Sequence, residues 1–140
     1  MPRWNIKHTP RLFSDEEKEA TSKKITEIYV QVGLPAFYVQ VIFEELPHKA
    51  LFVGGKEHTK FASIEVLHIA RNFQHATQKK AFLNMVDSIL NPLFEKKGID
   101  WEYFVGESDR DLWKINGIYP PESGSALEKK WIDTNRPSKL

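Results

Sequence analysis

The chain contains no cysteine among its 140 residues, and this absence excludes several kinds of chemistry at once. Without thiols there can be no disulfide, no cysteine-ligated zinc, no iron–sulfur cluster and no cysteine nucleophile. A charge excess is also missing, since 20 Lys and Arg face 19 Asp and Glu, for a net charge of +1. Nucleic-acid and acidic-membrane partners are therefore not expected, because both attract a strongly basic protein.

Long apolar runs and the common nucleotide-binding motifs are missing as well. No stretch approaches the ~20 apolar residues of a membrane span, and the amino end lacks the layout of a signal peptide. Glycine-rich phosphate loops and the serine-hydrolase elbow do not occur, and the five histidines lack the spacing of a metal motif. We expect a cytoplasmic protein that uses neither a metal nor a cofactor.

The apolar residues that are present follow the spacing of a strand, then of a helix, then of a strand again, and this order occurs twice along the chain. The predicted elements are a strand over 4–8, a helix from the capping box at Ser14 to Gly33, a strand over 36–46, a strand over 63–70, a helix over 76–97 ended by Gly98, and a strand over 101–106. Pro92 lies inside the second helix and should kink or break its final turn.

Two β-α-β units, at about 2–46 and 62–106, predict an α/β (α+β) fold with a four-stranded mixed sheet and two helices on one face. A ferredoxin-like fold would give almost the same pattern. Residues 47–61 form a predicted loop, and Asn116-Gly117 predicts a hairpin within 108–119. We expect one domain over 1–120, followed by a polar tail over 121–140 on the surface or at a subunit interface.

Three residues stand out as candidates for chemistry, and each has a structural alternative. Removal of Met1 would expose Pro2 as a secondary amine, which could transfer a proton if burial beside cations lowered its pKa. Arg71 follows an apolar strand, where its guanidinium could bind a small carboxylate or lie in a surface loop. Tyr103 lies mid-strand and could donate a hydrogen bond to a substrate or belong to the core.

These residues combine into a family resemblance. Pro2, the doubled β-α-β pattern, the segment 40–55, Arg71 and the segment 101–104 together resemble the tautomerase superfamily, in particular the cis-3-chloroacrylic acid dehalogenase branch and its fungal-type relatives. The resemblance implies a tautomerase/MIF-like fold, a homotrimer and an active site around an amino-terminal proline. It also implies that Pro2 is the catalytic proline, Arg71 a substrate-carboxylate arginine and Tyr103 a site tyrosine.

Three positions depart from the dehalogenase pattern. Tyr29 stands where that enzyme has a histidine, Gln74 where it has a second arginine, and Ile115-Asn116 where it has the glutamate that activates water. Hydration needs a second group that takes a proton from water, which neither Ile115 nor Asn116 can do. Tautomerisation needs only a base and a cation near the developing enolate.

The resulting hypothesis is a tautomerase-like isomerase for a small 2-oxo or unsaturated carboxylic acid, with Tyr29, Gln74 and Asn116 lining the pocket. Two alternatives from the same family are a cis-3-haloacrylate dehalogenase or hydratase, and a relative that binds carboxylates without turnover. A ferredoxin-like nucleic-acid binder is a third, although the near-neutral charge and the missing RNA-binding signature argue against it.

Overall fold

The structure is a computed structural model that describes residues 1–139. Its six strands are β1 (Arg3–His8), β2 (Gln40–Glu45), β3 (Phe52–Val53), β4 (Lys56–Glu57), β5 (Phe61–His68) and β6 (Asp100–Glu107), and its α-helices are α1 (Asp15–Gln31), α2 (Ala76–Lys97) and α3 (Ala126–Thr134). In this part of the chain no helix is both long and apolar enough to cross a membrane.

The main sheet has four strands in the order β2-β1-β5-β6. β1 and β2 are parallel around α1, β5 and β6 are parallel around α2, and β1 pairs antiparallel with β5. The predicted tandem β-α-β arrangement and mixed sheet are thereby confirmed. A third helix, α3, was not predicted from the sequence.

Helix α1 forms where the capping signals predict it. The Ser14 hydroxyl accepts from the Glu17 amide at 3.1 Å, and the Glu17 carboxylate accepts from the Ser14 amide at 2.9 Å. This reciprocal pair satisfies amides that would otherwise lack partners in the first turn. At the other end, Gly33 adopts a φ of 84°, which a glycine reaches without the strain of a side chain.

Helix α2 runs from Ala76 to Lys97 and ends at Gly98, which has a φ of 65°. The expected break at Pro92 is wrong, because the helix continues through it. Pro92 is exposed, whereas Val86, Leu90 and Phe94 bury the opposite face of the same turns. Packing along that face holds the helix together although one amide donor is missing.

The core lies between one face of the sheet and the helices. Alternate residues of the two central strands point into it, namely Trp4, Ile6, His8, Ala62, Ile64, Val66 and His68. The predicted strand over 36–46 is shorter in the structure, since Ala36–Tyr38 is a 3-10 helix and β2 begins at Gln40. Val41 and Phe43 are only half-buried because β2 is an edge strand.

The two connecting segments contain short hairpins. β3 and β4 pair within the predicted loop over 47–61. Asn116 and Gly117, with φ values of 50° and 75°, form a two-residue turn in which Ile115 and Ile118 exchange backbone hydrogen bonds of 2.9 and 2.8 Å. Positive φ at both central residues is the geometry that favours Asn-Gly.

The segment after Pro120 packs against its own chain. Trp131 of α3 is fully buried, with its ring centroid 5.8 Å from that of Phe37 and 6.2 Å from that of Tyr38. Asn135 also accepts a hydrogen bond from the Phe37 amide at 2.9 Å. Leu140, the last residue of the predicted tail, lies outside the described residues.

Candidate active site

A pocket of about 390 Å³ opens at the amino end of β1. Arg3 pairs with Leu67 in the antiparallel register of β1 and β5, so Pro2 lies at the same sheet edge as the residues that follow β5. The second half of α1 and the first half of α2 supply the other walls. Most of the lining is apolar, namely Ile28, Val32, Leu34, Ile69, Ala70, Phe73, Ala81, Phe82 and Met85.

Pro2 is buried, and its carbonyl accepts a hydrogen bond from the Gln40 amide at 2.9 Å. In the chain that retains Met1, the Pro2 nitrogen is an amide and has no useful basicity. Burial, reinforced by the Arg110 guanidinium, lowers the pKa of the Met1 amino group to about 4. The start of β1 is thus a place where a protonated amine is disfavoured.

Among residues 1–139, Arg71 is the lysine or arginine that lines this pocket. Its Nη1 donates to the carbonyl of Val32 at the end of α1, and its Nη2 lies 3.4 and 3.5 Å from the two carboxylate oxygens of Glu128 in α3. The Arg71 side chain is 35% exposed, whereas that of Glu128 is only 5% exposed. Arg71 therefore connects the pocket to the C-terminal helix.

A second guanidinium lies close behind the start of β1. Arg110 donates from Nη1 to the Ala70 carbonyl at 3.0 Å and from Nη2 to the Pro120 and Pro121 carbonyls. Its Cζ also lies 5.7 Å from the centre of the Trp113 ring. These contacts fix a positive charge near the amino terminus, where it adds to the effect of burial on the Met1 amine.

Tyr29 belongs to a hydrogen-bonded chain of three aromatic side chains, of which Tyr29 and His68 line the pocket. Trp4 Nε1 donates to the Tyr29 hydroxyl at 2.9 Å, and that hydroxyl lies 2.8 Å from Nε2 of His68. Burial lowers the pKa of His68 to about 4 and raises the pKa of Tyr29 far above its ordinary value. Both groups are therefore neutral at physiological pH, and they offer polar but uncharged contacts.

Tyr103 faces a separate depression on the other side of Phe73 and Phe82. Its hydroxyl contacts the carbonyl of Leu83 at 3.2 Å and the carboxylate of Asp87 at 2.9 Å. Burial first, and then the contact with Asp87, raises the pKa of Tyr103 to about 12. Because β6 is two strands away from β1, the Tyr103 side chain meets α2 rather than the Pro2 pocket of its own protomer.

The other two predicted contacts also lie outside this pocket in the protomer. Gln74 is exposed, and its side chain donates to the Asn72 carbonyl at 3.1 Å. Asn116 forms the turn described above and borders a different depression beside Met1 and Arg3. The structure thus brings Pro2, Arg71 and Tyr29 together and leaves Tyr103, Gln74 and Asn116 apart from them.

Three residues of the site were not predicted from the sequence: His68, Arg110 and Glu128. His68 carries a usable signal, because it occupies an inward position in the alternation of β5. Glu128 has a weaker one, since Ser125 and Glu128 have the spacing of a helix start. Arg110 lies in a loop segment without periodicity. No cluster of three or more His, Asp or Glu side chains suited to a metal occurs among residues 1–139.

Comparison with known proteins identifies the family. Residues 1–136 match the family described as "Putative oxalocrotonate tautomerase enzyme". The chain belongs to this tautomerase family. No curated protein sequence matches the chain.

Two solved structures resemble this chain closely over nearly its whole length. A "probable enzyme" from the thermophilic fungus Aspergillus fumigatus is 50% identical over 100% of this chain and 98% of its own, with a TM-score of 0.96. RhCC from Rhodococcus jostii RHA1 is 37% identical over 99% of both chains, with a TM-score of 0.95.

A more distant neighbour is N1, a member of the cis-3-chloroacrylic acid dehalogenase family, which is 23% identical over 94% of this chain and 91% of its own, with a TM-score of 0.71. At that identity the likeness concerns the fold alone. The family match over residues 1–136 confirms the resemblance to the tautomerase superfamily, and the fold of these neighbours agrees with it.

Proposed function

We propose that the protein is a tautomerase-type isomerase in which Pro2, freed by removal of Met1, acts as general base and acid. Its substrate is a small 2-oxo or unsaturated carboxylic acid. The observation that carries the proposal is the pocket shared by Pro2 and Arg71, because the reaction needs a base and a cation around one short substrate. Membership of the tautomerase family supports this chemistry.

The proposed reaction moves one proton. The neutral Pro2 amine takes a proton from the carbon beside the substrate carbonyl, the electron pair of that C–H bond forms a C=C bond, and the π pair of the carbonyl moves onto its oxygen. The protonated amine then gives the proton to that oxygen or, in an unsaturated acid, to the carbon at the far end of the neighbouring C=C bond. Ketonisation of an enol is the first of these reactions run in reverse. The low pKa of the Met1 amino group supports the neutral amine, since the same burial would act on a Pro2 amine.

Arg71 keeps enough hydrogen-bond donors for a substrate carboxylate. A guanidinium has five N–H groups. One on Nη1 is used by Val32 and one on Nη2 by Glu128, while Nε is buried without a partner among residues 1–139. The remaining donors can stabilise a carboxylate or the enolate oxygen, and the apolar walls suit the carbon skeleton.

The proposal assigns Tyr29 to the substrate-binding wall, with His68 behind its hydroxyl. Tyr103, Gln74 and Asn116 lie outside the Pro2 pocket of their own protomer. A role for any of them in the proposed reaction therefore requires the pocket of another subunit, which makes it a consequence of assembly.

The proposed assembly is a homotrimer. Fused 4-OT, a distant neighbour with a TM-score of 0.62 and 21% identity over 84% of this chain and 94% of its own, is described as a trimer. In this chain, the sheet face opposite the helices carries the exposed Ile42 and Phe104. The segment over 121–140 is a further proposed contributor, with Ile132 exposed on α3.

Ketonisation of an enolpyruvate, followed by absorbance, tests the proposed function. Three proteins are compared: the native protein, Pro2→Ala, and a form with one extra residue left ahead of Pro2, with intact mass verifying each amino terminus. Because positioned acid–base groups contribute roughly 10²- to 10⁴-fold, the extended form should lose at least ~100-fold in kcat/KM. Pro2→Ala keeps an amine and should lose less.

The matched control is Pro47→Ala, which removes an exposed loop proline far from the pocket and should leave the rate unchanged. Equal rates in the native, Pro2→Ala and extended proteins would refute the proline mechanism. Carboxylate binding without turnover in any of them would favour a binding protein that has kept the fold.

A further inference from the structure

The C-terminal helix places a buried carboxylate against the pocket arginine. Glu128 lies in the first turn of α3, where its amide donates to the Ser125 hydroxyl at 3.1 Å. Its Oε2 accepts from the Gly124 amide at 2.6 Å, so the carboxylate is fixed by its own helix start. Only 5% of the side chain is exposed, and Arg71 Nη2 is within 3.4 to 3.5 Å of both oxygens.

Arg71 has few other contacts that could hold it in place. Its Nη1 donates to the Val32 carbonyl, its Nε has no partner among residues 1–139, and 35% of the side chain is exposed. An arginine side chain has many rotamers of similar energy, so a partly exposed one moves unless it is fixed on more than one side. Val32 and Glu128 provide two such sides, one from α1 and one from α3.

We propose that Glu128 is a positioning residue that holds the Arg71 guanidinium so that its unused N–H groups face the pocket. The inference rests on the proposed function insofar as Arg71 is taken to bind the substrate carboxylate. It extends that function to the C-terminal segment, because residues 124–128 then form part of the binding machinery although none of them lines the pocket.

The partial exposure of Arg71 indicates that Glu128 positions the guanidinium, and that the ion pair does more than stabilise the fold. Removing one partner from a fully buried pair leaves an uncompensated charge and strongly destabilises a protein. Arg71 is partly exposed and can rehydrate, so loss of Glu128 should release the guanidinium toward water rather than unfold the chain. The main consequence is then a disordered anion site.

Two measurements on the full chain test this, with pyruvate as the carboxylate probe. The dissociation constant for pyruvate is measured by calorimetry, and the mobility of the Arg71 Nε–H group by ¹⁵N relaxation without ligand. Glu128→Ala should weaken pyruvate binding roughly tenfold, the worth of one hydrogen bond to a charged group, and make the Nε–H group mobile. Glu128→Gln keeps an acceptor at the same reach and should restore binding to within about threefold.

Asp133→Ala is the matched control, because it removes an exposed carboxylate of the same helix that has no contact with Arg71. It should leave both readouts at the parent values. The proposal is overturned if Glu128→Ala binds pyruvate as tightly as the parent or more tightly, if the Nε–H group stays rigid, or if Asp133→Ala causes the same loss. A parent protein that binds pyruvate but has no isomerase activity would refute the proposed function alone.

Discussion

At the scale of single residues, burial sets the ionisation of the groups around the pocket. It lowers the pKa of the amine at the start of β1 and of His68, and it raises the pKa of Tyr29. Each shift favours the neutral form, since a desolvated charge is costly. A substrate anion would therefore meet one cationic wall, Arg71, and otherwise uncharged surfaces.

His68 should make stability depend on pH. Its pKa is about 4 in the folded protein and about 6.5 in an unfolded chain, so between these values the unfolded state binds more protons. Stability should therefore fall as the pH drops from 6.5 toward 4, by about 3 kcal/mol from this residue, and its contribution should level off below 4. Urea unfolding across this pH range measures the slope.

Comparison with two variants separates His68 from the other titrating groups. His68→Gln should show a shallower decline of stability than the parent over the same pH range, whatever its absolute stability. His48→Gln changes a histidine whose side chain is 74% exposed and should keep the parent slope. A parent slope in His68→Gln would contradict the assignment.

Some residues of the site could be predicted from the sequence and others could not. Pro2 and Arg71 were predicted from their positions, since Pro2 follows the initiator methionine and Arg71 follows an apolar strand. Glu128 gave only the weak signal of its spacing from Ser125, because its partner Arg71 is 57 residues away and an ion pair between distant residues leaves no periodicity in the chain. Long-range pairing of this kind depends on how α3 packs.

At the scale of secondary-structure elements, α1 and α2 end where the sequence predicts because their signals are local. A capping box and a glycine act within one turn of the helix end. The 3-10 helix at Ala36–Tyr38 and helix α3 escaped prediction because both depend on tertiary contacts. Trp131 packs against Phe37 and Tyr38, so each element requires the other.

Pro92 offers a test of how strongly packing overrides local preference in α2. A proline inside a helix is about 3 kcal/mol less favourable than alanine. Proline also restricts the backbone of the unfolded chain, and this stabilises the folded state by up to about 1 kcal/mol. Pro92→Ala restores the amide that can donate to the Ser88 carbonyl. We expect the free energy of unfolding to rise by about 2 kcal/mol in chemical denaturation.

Glu95→Ala is the control for this change, since it alters another exposed position of the same helix and should shift stability by less than about 0.5 kcal/mol. An unchanged or lower stability in Pro92→Ala would mean that the surrounding turn has adapted to proline. The pocket lies at the other end of α2, so the proposed isomerase activity should be the same in both variants.

At the scale of the whole molecule, the sheet has one covered and one open face. The helices cover the face of Trp4, Ile64 and Tyr103. The opposite face carries one row across all four strands, since Ile42 pairs with Asn5, Asn5 with Glu65, and Glu65 with Phe104. Asn5 Oδ1 is buried there without a hydrogen-bond partner among residues 1–139. A face with exposed apolar groups and an unsatisfied oxygen is typical of an interface.

Sedimentation equilibrium tests whether this face joins three subunits. The native protein should have three times the 16.3 kDa protomer mass. Phe104→Glu places a charge on a side chain that is 55% exposed in the protomer, so it should dissociate the trimer while the protomer stays folded. Phe52→Glu makes the same change at a phenylalanine that is 57% exposed in β3, outside the main sheet, and should remain trimeric. If Phe104→Glu is also trimeric, the subunits meet elsewhere, and the sheet face is not the interface.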